Sequence, residues 1–200
     1  MIEFWYDLAS TYSHITAQRI EGVAAAAGLE VRWRPFLLGP IFAGQGWGTS
    51  PFNLYPAKGR YMWRDMERLS AAAGLPLKRP APFPANSLLP ARVAVQGEAA
   101  GWIGAFTKAV FQAEFCEGAN ISEADVLRGI LTDLDLDAGP ILEAARSEPV
   151  KQRLKMQTDA AQRLGMFGAP TFVVDGELFW GNDRLEEAVR WADRPWVREP

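Results

Sequence analysis

Two short stretches at opposite ends of this chain constrain its fold more than anything between them. Near the start, the apolar run Ile2-Glu3-Phe4-Trp5-Tyr6 ends at Asp7 and gives way, through Ser10-Thr11-Tyr12-Ser13, to a segment of helical periodicity. Near the finish, Gly168-Ala169-Pro170-Thr171 leads into Phe172-Val173-Val174. The first stretch has the strand-to-helix context and the four-residue spacing of a Cys-x-x-Cys redox site, yet serine stands at both cysteine positions. The second has the form of a proline loop that opens a strand. A fold that joins them sets a helix N-terminus opposite a loop of main chain.

The surrounding patterns complete two units. Residues 2–6 are nearly continuous in apolar side chains, the mark of a central strand covered on both faces. Ile15, Ile20, Val23, Ala24 and Ala27 then recur at helical spacing, and Gly28 supplies a C-terminal stop. Residues 29–34 alternate as a half-buried strand does, ended by Pro35. This is a βαβ unit. Residues 171–175 and 177–180 flank the hairpin signal Asp175-Gly176, and residues 184–192 return to helical spacing, which makes a ββα unit.

Together the units predict an α/β chain of thioredoxin-like fold, made of residues 1–38 and 166–200, with residues 39–165 inserted as a helical subdomain. Helices are expected over 59–73, 87–112, 122–134, 141–145 and 150–164, separated by proline- and glycine-rich breakers. The insert is expected to pack on the thioredoxin-like part and to cover its active-site face.

Composition narrows the partners. With 200 residues, 48% of them apolar, and eight tryptophans, the chain can bury a sizeable core. A net charge of −3 argues against nucleic acid as the main partner. The N-terminus has no basic leader and no run approaches the ~20 apolar residues of a membrane span, so a cytoplasmic protein that does not engage a membrane is expected. One cysteine, Cys116, allows no internal disulfide and is most simply a buried helix residue, while one histidine, His14, leaves little for a metal site, and none is expected. Between Lys58 and Arg92 seven basic residues face two acidic ones. They form solvated helix faces, or some of them line a site for a small anion.

The turn at Ser10 carries the chemistry. A serine just before a helix can simply cap free backbone N–H groups. A helix N-terminus also carries partial positive charge and lowers thiol pKa values. Serine gains little there as a nucleophile, but its O–H can donate to a thiolate brought in by another molecule. Pro170 bears on the same point. If the preceding bond is cis, Ala169 turns its main-chain groups outward to pair with an extended peptide, for which a cysteinyl peptide is suited; the alternative is an ordinary trans proline opening a strand. In Phe179-Trp180-Gly181-Asn182-Asp183-Arg184, Asn182 or Asp183 caps the last helix, or the local N–H groups and Asp183 take the carboxylate and ammonium of an amino-acid head group.

These residues carry a family likeness. The chain resembles the 2-hydroxychromene-2-carboxylate isomerases, a glutathione-dependent group similar to kappa-class glutathione transferases and the DsbA oxidoreductases. The likeness runs through residues 4–13, Arg34-Pro35-Phe36-Leu37-Leu38-Gly39, Pro56-Ala57-Lys58-Gly59-Arg60-Tyr61-Met62, residues 168–174 and residues 179–185. It implies that Ser10 is catalytic and supports the glutathione thiolate, that Ala169 and Pro170 face the cysteinyl backbone, and that Asn182 and Asp183 hold the γ-glutamyl end. Lys58 would face glutathione or the substrate carboxylate, and Tyr12, Asn53 and Arg60 would contact the substrate. The implied reaction is reversible thiolate addition to a conjugated aromatic 2-oxo acid, rotation about the resulting single bond, and elimination, with a homodimer as the implied assembly. Trp47, Phe52, Tyr55, Trp63 and Phe83 could supply a flat apolar pocket or simply pack the core.

Two positions depart from the family pattern. Thr11 stands where proline is common, and His14 follows Ser13 where an aromatic residue is usual. The first helical turn is therefore expected to be looser or differently capped. Other functional classes remain in view. A dithiol oxidoreductase is excluded by the single cysteine, a dinucleotide loop fits Gly44-Gln45-Gly46-Trp47-Gly48 poorly, and a serine hydrolase pairing Ser10 with His14 lacks a nucleophile elbow. A conjugating glutathione transferase, or a catalytically silent binding protein, would share most of these residues.

Overall fold

A computed structural model describes residues 1–192. The N-terminal unit is strand β1 (Ile2–Tyr6), helix α1 (Thr11–Ala26) and strand β2 (Val31–Pro35). Helices α2 (Leu38–Gly44), α3 (Pro51–Leu54), α4 (Pro56–Ala72), α5 (Leu88–Ala94), α6 (Gly97–Ala100) and α7 (Ile103–Phe115) follow. After α8 (Ala124–Asp133), α9 (Ala138–Ala144) and α10 (Glu148–Arg163), the chain returns to strands β3 (Thr171–Val174) and β4 (Glu177–Trp180). A 3₁₀ turn over Asn182–Arg184 leads into helix α11 (Leu185–Trp191).

The four strands lie in the order β2-β1-β3-β4, with β1 parallel to β2 and antiparallel to β3, and β3 antiparallel to β4. This is the thioredoxin-like arrangement expected from the two units. The hairpin closes at Asp175 and Gly176, both at positive φ, 50° and 85°, the conformation a two-residue turn between twisted strands demands. Strand β2 begins at Val31 rather than 29 and includes Pro35.

Side chains of β1 alternate between two packed faces. Phe4 and Tyr6 point into a core shared with Phe172 and with Phe111 of α7, at ring separations of 4.9–6.2 Å. The Tyr6 hydroxyl is satisfied within that core by Thr107, 2.7 Å away. Trp5 points the other way, into a smaller cluster with Phe36, Ile41, Ala161 and Met166. Deleting one of these buried rings costs about 3–5 kcal/mol. The shared core ties α7 directly to the sheet.

The long helix expected over 87–112 is instead three, α5, α6 and α7. The chain breaks at Gly101, whose φ of +79° only glycine adopts freely, and the Trp102 ring folds back onto Gly97 so closely that a β-carbon there would lie 2.4 Å from it. Short helices α2 and α3 also occupy a stretch where none was expected. No described helix is long and apolar enough to cross a membrane.

Candidate functional site

Ser10 is the N-cap of α1. Its Oγ accepts the N–H of Ser13 at 3.3 Å and donates to the carbonyl oxygen of Ala169 at 3.2 Å. The hydroxyl therefore caps the helix and also bridges to the proline loop, where the Ala169–Pro170 bond is cis. The first turn of α1 holds no acidic residue of its own to offset the partial positive charge of this end. Thr11 is buried in that turn, and the Ser10 cap on Ser13 is formed.

The turn is fixed from below by Asp7. Its carboxylate accepts the N–H of Ala9 at 2.9 Å and that of Leu38 at 2.8 Å, and its carbonyl accepts the N–H of Ser10 at 3.0 Å. One buried acid thus ties the turn to the start of α2. Burial raises its pKa, opposed by the N–H groups of Leu38 and Ala9 and by the Ser87 hydroxyl.

Asn182 is bound to α1, buried, with its side-chain oxygen accepting from Thr16 at 3.1 Å and from Arg19 at 3.3 Å. Arg19 also donates to the Asn182 carbonyl at 2.7 Å and pairs with Glu186. Asn182 is therefore neither a free polar group nor the cap of α11. It anchors the last turn to α1. Asp183, by contrast, has an exposed carboxylate 4.0 Å from the Arg184 guanidinium.

The remaining expected residues lie on the segment from α3 to α4, which Tyr12 joins to α1. The Tyr12 hydroxyl donates to Asp65 at 3.0 Å, and its ring is 6.3 Å from that of Phe52. Burial, then Asp65, pushes the phenol further up, so it stays a donor. Asn53 donates to the Phe83 carbonyl at 3.2 Å and to Thr49 at 3.3 Å. Lys58 is exposed, its ammonium over the Tyr55 ring at 4.8 Å, and Arg60 is exposed nearby. Of the basic run, Arg64 and Arg79 pair with Glu67, and Arg68 pairs with Asp65, which makes them solvated ion pairs. Of the aromatic residues expected to line a pocket, Trp63 packs on Phe83, Trp47 packs on Phe42, and exposed Tyr55 carries the Lys58 ammonium. Two clefts, of about 260 and 130 Å³, are lined by Leu88 and Arg92 among others and include neither Ser10 nor this aromatic set.

His14 is fully buried, its ring 5.3 Å from Phe115 and 5.9 Å from Phe111, with Nε2 facing the Cys116 sulfur at 3.9 Å. Burial lowers its pKa to about 4. Its ring occupies an aromatic-residue position in the manner of an aromatic residue and makes no hydrogen bond to Ser10, to whose carbonyl only the His14 main-chain N–H donates, at 3.1 Å. Cys116 is half-buried at the end of α7 rather than fully enclosed, and burial raises its thiol pKa. Sequence reasoning passed over Asp7, Thr16, Arg19 and Asp65. Only Asp7 gave a local signal, an acid two residues before a main-chain N–H at the end of a strand.

Comparison with known proteins agrees with this fold. Residues 1–190 match the DSBA-like thioredoxin domain. The chain is 32% identical over 188 residues to the 2-hydroxychromene-2-carboxylate isomerase of Sphingobium xenophagum, covering 92% of this chain and 94% of that relative. This chain belongs to the 2-hydroxychromene-2-carboxylate isomerase family. It is accordingly an enzyme of the isomerase type. A solved 2-hydroxychromene-2-carboxylate isomerase superposes with a TM-score of 0.86 at 26% identity, covering 98% of this chain and 97% of the other. Human glutathione S-transferase kappa 1 is 26% identical over 210 residues, covering 98% of this chain and 92% of that relative. The resemblance of this family to the kappa class is thus present in the chain as a whole.

Proposed function

We propose that this protein is a glutathione-dependent isomerase of 2-hydroxychromene-2-carboxylate or a related aromatic 2-oxo acid. The observation that carries the reading is the Ser10 hydroxyl, held at the start of α1 and directed at the Ala169 carbonyl, with no cysteine in the turn. The donor set suits a thiolate. Thr11 and Tyr12 present first-turn N–H groups that have no acceptor within their own helix, that turn holds no carboxylate, and the Ser10 O–H, which donates to the Ala169 carbonyl in this structure, would turn to the sulfur when it binds.

Ser10 would hold the sulfur of glutathione, Ala169 and Pro170 its cysteinyl backbone, and Asp183 its ammonium. The Asn182 side chain is committed to α1, so its part is to place the main chain of that turn. Bound glutathione supplies a thiolate that adds to the conjugated substrate and is eliminated again after bond rotation, so none is consumed. Lys58 and Arg60 would attract the substrate carboxylate, with Tyr12 and Asn53 beside them. The same reading takes residues 39–165 as the insert, the protein as cytoplasmic, and the working assembly as a homodimer. Similarity to a kappa-class transferase supports a second reading, conjugation of electrophiles.

Turnover of 2-hydroxychromene-2-carboxylate with and without glutathione tests the assignment. Isomerisation that needs glutathione and leaves its concentration unchanged is the expected result. Stoichiometric loss of glutathione would establish conjugation instead, and turnover indifferent to glutathione would remove the thiolate from the mechanism.

A further inference from the structure

Glu114 is the one buried carboxyl among the described residues whose two oxygens both lack a hydrogen-bond partner. It lies on α7 and is 0% exposed. An ionised carboxylate in such a place would lack every group that normally stabilises its charge. Its neighbours sharpen the contrast. Asp7 lies near enough for its charge to raise Glu114 further, yet the Asp7 oxygens are satisfied by Ala9, Leu38 and Ser87. Two carboxyls share one buried region, and only one has donors. The other titratable groups there are His14 of α1, which packs on Phe111 and Phe115 on either side of Glu114, and Cys116. His14 Nδ1 and the Ser13 hydroxyl of the same helical turn are likewise buried without a hydrogen-bond partner among the described residues.

We propose that Glu114 is a positioning residue carried as the neutral acid, and that its lack of charge lets Asp7 remain ionised and hold the Ser10 turn. The physical logic is that of any close carboxyl pair, where the environment places the proton on one partner and the charge on the other. Here the proton belongs on Glu114, because ionising it would set two negative charges beneath the turn with donors for only one. The second charge would pull on the Asp7 contacts to Ala9 and Leu38, and would oppose an anion at Ser10. Glu114 touches no substrate and acts through Asp7 and through the charge it would place beneath the turn.

The test begins on the full chain without glutathione. The infrared carbonyl band of a protonated carboxyl should be present in the wild-type protein at neutral pH and missing from Glu114→Gln. As pH is raised until the band disappears, the amide proton signals of Ala9 and Leu38 should shift with it in the wild type and stay fixed in Glu114→Gln. A missing wild-type band, or amide signals that shift equally in both proteins, would overturn the proposal. A second measurement rests on the proposed glutathione site. Affinity for glutathione should fall by about tenfold, the effect of one pKa unit on a thiolate, across the same step in the wild type and show no step in the variant. Retention of the step in the variant counts against Glu114. Failure of both proteins to bind glutathione counts against the glutathione reading and leaves the infrared and amide results standing.

Discussion

The Ser10 hydroxyl joins two parts of the chain 159 positions apart, donating to the Ala169 carbonyl at 3.2 Å while it accepts the N–H of Ser13. One side chain therefore does two jobs, and a single substitution removes both, with a separate readout for each. Ser10→Ala removes the helix cap, worth about 1 kcal/mol of stability. It also removes the O–H offered to a bound thiolate, so turnover should slow at least tenfold, which is ~1.4 kcal/mol in the barrier. The ultraviolet thiolate absorbance of bound glutathione should titrate at higher pH in the variant. An unshifted titration would leave Ser10 a helix cap and nothing more.

Asn182 and Asp183 are neighbours with opposite roles, and two substitutions should separate them. Asn182→Ala strips the acceptor from Thr16 and Arg19 in a buried setting and should cost about 1–3 kcal/mol in chemical denaturation. Asp183→Asn, with a side chain 82% exposed, should leave stability within about 0.5 kcal/mol of the wild type. It should nevertheless weaken glutathione binding, measured by calorimetry, if the carboxylate pairs with the γ-glutamyl ammonium. Unchanged affinity in Asp183→Asn would place that ammonium elsewhere.

How much of this was legible beforehand depends on whether the determining interaction is local. Strand β1, the stop at Gly28 and the turn at Asp175-Gly176 are written in neighbouring residues, and they appear where the pattern places them. Ser10 and Ala169-Pro170 were legible as a pair because the two units meet in only one way. The break between α5 and α7 was not, because it depends on Trp102 folding back on Gly97. The commitment of Asn182 to Thr16 and Arg19 was hidden for the same reason, since its partners lie on α1. Glu114 looks like an ordinary polar residue within an amphipathic helix until α7 is seen packed on the sheet.

Lys58 and Arg60 are the exposed cations of the α3 to α4 segment that are not drawn into its carboxylate pairs, unlike Arg64, Arg68 and Arg79. Replacing both by glutamine should hardly alter stability, because neither anchors buried structure. The KM for an anionic aromatic substrate should rise severalfold while kcat changes little, and the wild-type KM should itself rise with salt. A salt-independent KM, equal in wild type and variant, would show that the substrate carboxylate is held by other groups.

His14 sets a limit on acid stability. Burial holds its folded-state pKa at about 4, below the ~6.5 of an unfolded histidine. Above the unfolded value the ring is neutral in both states and costs nothing. Below it the unfolded chain gains a proton that the folded chain refuses, so stability is lost as pH falls toward the folded value. At roughly pH 5 that loss is about 2 kcal/mol. His14→Phe keeps a flat ring against Phe111 and Phe115 and cannot take up the proton, so its unfolding midpoint in urea should decline less between neutral and mildly acidic pH. Glu114 acts in the opposite sense. Its raised pKa means that stability present below about 4.3 is lost as pH rises toward the folded value, and Glu114→Gln should remove that slope instead. If His14→Phe followed the wild-type acid limb, the buried imidazole would not be its source, and the carboxylates would have to account for it.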